Sequence, residues 1–188
     1  MSKKTAKQRI YDLVLAAMFL ALGIVLPFLT GQIPQVGNML LPMHIPVLLC
    51  GLLCGWQYGG LVGFVTPLLR SALFAAPPMP GAIAMAFELA AYGLLVGVLY
   101  GLSKWKCVIA LYRSLLIAMV GGRIVWAAAR MVLMGVGQLP FSWELFLSGA
   151  FLTAIPGIVL QLILIPAIMV ALDRTGLVRF TKGRPSVA

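Results

Sequence analysis

Polar and apolar positions are segregated into blocks along this chain instead of alternating within them. Predominantly apolar stretches cover residues 10–29, 45–55, 59–75, 81–103, 108–135 and 142–172, and short segments rich in Gly, Pro and amide side chains separate them. About 20 consecutive apolar residues suffice for a helix to cross the hydrocarbon core of a bilayer. In lipid the backbone must satisfy its own hydrogen bonds, which favours helices. The pattern predicts an all-α integral membrane protein, a bundle of six transmembrane helices.

The punctuation fits that count. The stretch 30–44 holds Gly31, Gln32, Pro34, Gln35, Gly37, Asn38 and Pro42, which make it a loop. Pro46 falls in the first turn of the second helix, where a missing N–H costs nothing. Trp56, Gln57 and Tyr58 predict a tight turn with interfacial aromatics before the third helix. Ala76-Pro77-Pro78-Met79-Pro80 cannot continue a helix. Gly137, Gln138 and Pro140 mark another loop, and Pro156 and Pro166 predict bends in the last helix.

Charge sets the orientation. Of the fourteen Lys and Arg residues, eleven fall in three clusters: Lys3, Lys4, Lys7 and Arg9; Lys104, Lys106 and Arg113; and Arg174, Arg179, Lys182 and Arg184. The loops 30–44, 76–81 and 136–142 carry none. Cytoplasmic segments collect positive residues, so both termini and the 103–113 loop are expected inside, as an even number of spans requires. The +10 net charge therefore points to anionic lipid headgroups, and no nucleic-acid motif accompanies it. Residues 1–188 read as one multi-pass membrane domain, with a basic tail from 173 to 188. The first apolar run, Leu13 to Leu29, lacks a small-residue cleavage site and is expected to be retained. Cys50, Cys54 and Cys107 form no redox or zinc pattern and read as small hydrophobes.

Small residues at four-residue spacing allow close helix approach in lipid: Gly51 and Gly55, Gly59 and Gly63, and Gly93, Gly97 and Gly101. Ala17 and Ala21 repeat the spacing on the first helix, an end helix able to offer that face to another protein.

Arg70, Glu88, Arg123 and Arg130 interrupt the apolar blocks. A charge inside a membrane segment is costly unless paired or facing a polar cavity, so such residues are candidate functional sites. At 1.5 Å of rise per residue, Arg70 falls about 9 Å, and Glu88 and Arg130 about 10 Å, below the outer helix ends. These three are expected to form one constellation in the outer half of the membrane, with Arg123 deeper and either structural or ligand-contacting. One carboxylate cannot satisfy several guanidiniums, which leaves arginine for water, carbonyls or an anionic ligand.

Aromatic and amide side chains extend the candidate site. Arg123, Trp126 and Arg130 share a helical face, and Glu88 and Tyr92 are one turn apart. A flat ring stacked on Trp126 would bring its polar edge to Glu88 and an arginine. His44 stands at the mouth of the second helix, and Asn38, Gln35 and Gln138 can reach over a ligand from the loops. No metal-ligand set, nucleophile elbow or phosphate loop is present, so neither an enzyme nor an ATP site is expected.

The chain resembles the substrate-binding components of energy-coupling factor (ECF) transporters over nearly its whole length. The resemblance rests on six apolar blocks in 188 residues, the basic start, and the Leu-Ala-Ala-Met-Phe-Leu-Ala-Leu run from Leu15 to Leu22. It rests also on the run from Pro42 to Gly51 followed by Gly55 to Gly63. The resemblance implies high-affinity capture of a small vitamin or related micronutrient in the outer half of the helices. It also implies assembly with a membrane coupling subunit and two cytoplasmic ATPases, which use the ATP; this chain needs no cofactor of its own. Ala17 and Ala21 would be the docking surface for the coupling subunit. Queuosine precursors, pyridine vitamins, pyrimidine precursors and pantothenate are the candidate substrates. The alternatives are a self-sufficient carrier in which Glu88 couples solute to protons, and a scaffold without a ligand.

Overall fold

The computed structural model describes residues 5–29, 41–103, 107–135 and 155–175, in which every regular element is a helix. Six are present: α1 (Ala6–Leu29), α2 (His44–Leu53), α3 (Trp56–Phe74), α4 (Met79–Leu102), α5 (Val108–Gly135) and α6 (Ile155–Arg174). By length and composition α1, α4, α5 and α6 can cross a membrane. The ten residues of α2 extend only about 15 Å, half of a hydrocarbon core. The first 13 residues of the block expected at 142–172 lie outside the described residues, as do the tail from 176 and the loop residues Gln35, Asn38 and Gln138.

Three local features move the expected boundaries. α1 begins at Ala6 instead of Ile10, because Thr5 and Gln8 form a reciprocal cap. The Gln8 amide faces Thr5 Oγ1 at 3.4 Å, and the Thr5 amide donates to Gln8 Oε1 at 3.1 Å. The turn between α2 and α3 is not Trp56-Gln57-Tyr58. It falls one step earlier, at Gly55, whose φ of 100° only glycine adopts without strain. Trp56 is thereby the first residue of α3.

α4 is the centre of the bundle and packs against α2, α3 and α5; α1 lies along α2 and α3, and α6 touches α5 and α2. The approach of α2, α3 and α4 depends on glycine. A Cβ on Gly93 would collide with the backbone of Gly59, and one on Gly59 would stand 2.6 Å from Gly51 Cα. Gly97 similarly meets the backbone of Trp56. Backbone contact of this kind holds helices together where lipid supplies no hydrophobic drive between them. Two members of the glycine series do something else, since Gly55 makes the turn and Gly101 faces open space.

Burial follows position in the bundle. His44 through Leu52, almost all of α2, is buried, as befits a helix apolar on every side. α1 is an edge helix: Ile10, Leu13, Val14, Met18 and Val25 are exposed, while Ala16 and Phe19 face inward. On α6 the buried stripe is Gly157, Gln161, Ile165 and Met169, one residue per turn. Buried hydroxyls satisfy themselves locally, Thr66 donating to the Val62 carbonyl and Ser114 to that of Ala110.

Candidate substrate site

Three helices bring their polar side chains to one place. Glu88 sits on the fully buried face of α4 between Ala84 and Tyr92. Its Oε1 lies 3.1 Å from Nη1 of Arg123 on α5 and 3.7 Å from Nε2 of His44 at the start of α2. Glu88 and His44 are each 2 % exposed and Arg123 11 %, so the group is withdrawn from the surface. The Glu88–Arg123 contact is an ion pair outside hydrogen-bond alignment.

Aromatic rings fix these groups. Tyr92, one turn from Glu88, meets the His44 imidazole edge to face at 5.1 Å. Gly122 makes room for it: a Cβ there would stand 2.9 Å from Tyr92 Cε1. On α5 the Arg123 guanidinium lies 5.9 Å, and that of Arg130 5.1 Å, from the Trp126 ring centroid. Trp126 thus holds two cations on one helix, in cation–π contacts that gain strength away from water.

Among the described residues, the unpartnered atoms of the site include more donors than acceptors. Arg123 Nε and Nη2, Arg130 Nε and both His44 ring nitrogens, of which a neutral imidazole makes one a donor and one an acceptor, are buried with no hydrogen-bond partner among the described residues, and so is the acceptor Glu88 Oε1. Buried polar groups are ordinarily satisfied, and each exception needs an explanation.

Arg70 is the main departure from the sequence-based expectation. It does not join Glu88; its Nη1 donates to the Ile24 carbonyl on α1 at 2.7 Å. Its guanidinium lies 5.0 Å from the Phe28 ring and 5.7 Å from the Phe74 ring, which themselves meet edge to face. Shared depth does not imply a shared direction, and Arg70 turns toward α1.

Arg123, expected deeper than Glu88, is its partner instead. Depth counted from helix ends assumes that those ends lie at the membrane surface. The 28 residues of α5 make a helix of about 42 Å, well beyond a 30 Å core, so the assumption fails there. Of the other expected residues, the structure groups His44, Glu88, Tyr92, Trp126 and Arg130 with Arg123. Gln35, Asn38 and Gln138 lie outside the described residues.

Two residues lie outside the set expected from the sequence. Gly122 seats Tyr92, and its adjacency to Arg123 was the available signal. Gln161 is 1 % exposed on the buried stripe of α6, and its Nε2 has no partner among the described residues. Its place as the lone polar residue between Ile155 and Ala171 was legible.

Among the described residues no group of three or more His, Cys, Asp or Glu side chains can hold a metal ion, and Cys50, Cys54 and Cys107 are free thiols. The family model described as ECF transporter, substrate-specific component, matches residues 11–169, from the first turns of α1 to the last of α6. The chain belongs to that family. Comparisons with curated proteins and with solved structures give no match. As a substrate-specific component, the chain is a membrane-embedded part of a transporter, and its polar groups are gathered where α2, α4 and α5 meet.

Proposed function

We propose that this substrate-specific component is the capture subunit of an ECF-type importer. It binds a small vitamin-like or nucleobase-like micronutrient between α2, α4 and α5. The observation that carries this is the buried Glu88–Arg123–His44 group with its unpartnered donors, in a chain of a transporter family. A group so costly to bury is expected where a ligand completes it. His44, Glu88, Tyr92, Arg123, Trp126 and Arg130 are the proposed contacts, with Asn38, Gln35 and Gln138 reaching in from the loops. Arg70 is better read as a clasp between α3 and α1.

The proposed orientation places both termini in the cytoplasm of a prokaryotic cell, with six spans. The proposed partners are a membrane coupling subunit and two cytoplasmic ATPases, which supply the ATP hydrolysis. Ala17 and Ala21 are both exposed on α1, as a docking face requires. Queuosine precursors, pyridine vitamins, pyrimidine precursors and pantothenate are the candidates for the cargo.

The test is reconstitution. The purified chain is expected to bind its cargo alone and to accumulate it in vesicles only with the coupling subunit and ATPases. Sustained gradient-driven uptake by the chain alone would refute this. That outcome would favour the second reading, a proton-coupled carrier, for which the proximity of Glu88 to His44 provides two titratable groups.

A further inference from the structure

Given the capture function proposed above, we infer that the site is an oxyanion receptor. The cargo carries a carboxylate that seats on the Nε–Nη2 edge of Arg123. The geometry of that guanidinium is the reason. Arg123 meets Glu88 through Nη1 alone, while Nε and Nη2 are buried without a partner among the described residues. Those two nitrogens form the side-on fork of a guanidinium, whose parallel N–H groups match the two oxygens of a carboxylate. Glu88 therefore does not consume the recognition edge. It holds the opposite corner of the plane and aims the fork.

Charge balance points the same way. The cluster contains two guanidiniums, Arg123 and Arg130, against one carboxylate, Glu88, so one positive charge lacks a counter-charge among the described residues. An unbalanced charge at membrane depth is expensive, and a monoanionic ligand cancels it. Arg130 Nε is a third unpartnered donor on the same aromatic spacer, and His44 contributes a ring N–H from the facing helix. A cationic cargo would add to this surplus charge, and a neutral carbonyl could accept from these donors but would not cancel it. Trp126 lies within cation–π distance of both arginines, so it serves the cations before any stacked ring. Among the candidate cargoes, the pyridine and pyrimidine carboxylates and pantothenate fit this site, and an amine-bearing queuosine precursor does not.

Matched probes test the assignment by calorimetry on the purified full chain in detergent: nicotinate against nicotinamide, orotate against uracil, and pantothenate against pantothenol, with benzoate as the simplest carboxylate. The expected result is binding by a carboxylate and at least tenfold weaker binding by its neutral counterpart. Arg123→Lys keeps the charge beside Glu88 but lacks the fork, and should weaken carboxylate binding roughly tenfold to hundredfold, the value of a charged hydrogen bond. Arg70→Lys, remote from the fork, should leave it unchanged. Equal binding of a neutral counterpart, full affinity in Arg123→Lys, or silence from every carboxylate would each overturn the assignment. The capture function falls by a different result, uptake driven by the chain alone in vesicles.

Discussion

Removing the Glu88 charge while keeping Arg123 tests whether the ion pair organises the bundle. At 3.1 Å and an effective dielectric of about 20, two unit charges attract by about 5 kcal/mol. Desolvation offsets much of that attraction in the intact protein, so the pair is not a large net stabiliser. Glu88→Gln keeps the shape but strands a guanidinium that is 11 % exposed, and should cost roughly 3–5 kcal/mol. Arg123→Met should cost a similar amount by stranding the carboxylate, whose remaining neighbour is His44 at 3.7 Å. The double variant, Glu88→Gln with Arg123→Met, leaves no buried charge in the pair and should be more stable than either single variant. Equilibrium unfolding of ligand-free protein in mixed micelles, followed by circular dichroism, measures all four species. Ligand must be absent, since binding adds its own stabilisation. If the single variants each lie within about 0.5 kcal/mol of the parent, or if the double variant loses the full sum, the two groups are not coupled and the ion pair does not organise the bundle.

Gly93→Ala should lower the melting temperature sharply, since its methyl meets the Gly59 backbone and overpacking costs about 1–3 kcal/mol or more. Gly101→Ala, facing open space, should be neutral or slightly stabilising in the same melt. Arg70→Met should lose about 1.5–3 kcal/mol with its charged hydrogen bond to Ile24, while cargo affinity measured by calorimetry stays as in the parent. Ala17→Trp and Ala21→Trp, both on the exposed side of α1, should leave stability and cargo binding intact yet abolish copurification with the coupling subunit.

The sequence by itself determined the class of protein and the inventory of its chemistry. Blocks of apolar residues dictate helices in lipid, because no other open segment satisfies its backbone there. The few charges inside those blocks stand out because burying them is expensive. Glu88, Trp126 and Arg130 were legible as candidates on those grounds, with Arg123 either structural or ligand-contacting, and spacing put Tyr92 beside Glu88. Even the start of α1 was written in Thr5 and Gln8.

Only the tertiary structure decided who faces whom. Helical rise gives a residue's level along its own helix, but the partner depends on tilt and on which neighbour occupies that side. Arg70 and Arg123 show the difference. Arg70, expected beside Glu88, turns to the Ile24 carbonyl of α1; Arg123, expected deeper, meets Glu88, and α5 at 28 residues is longer than a span needs, so counting from its end misplaces the level. The glycines behave likewise. Their spacing marks helices that can approach closely, whereas the contact of Gly93 with Gly59 and the turn at Gly55 exist only once α2, α3 and α4 are packed.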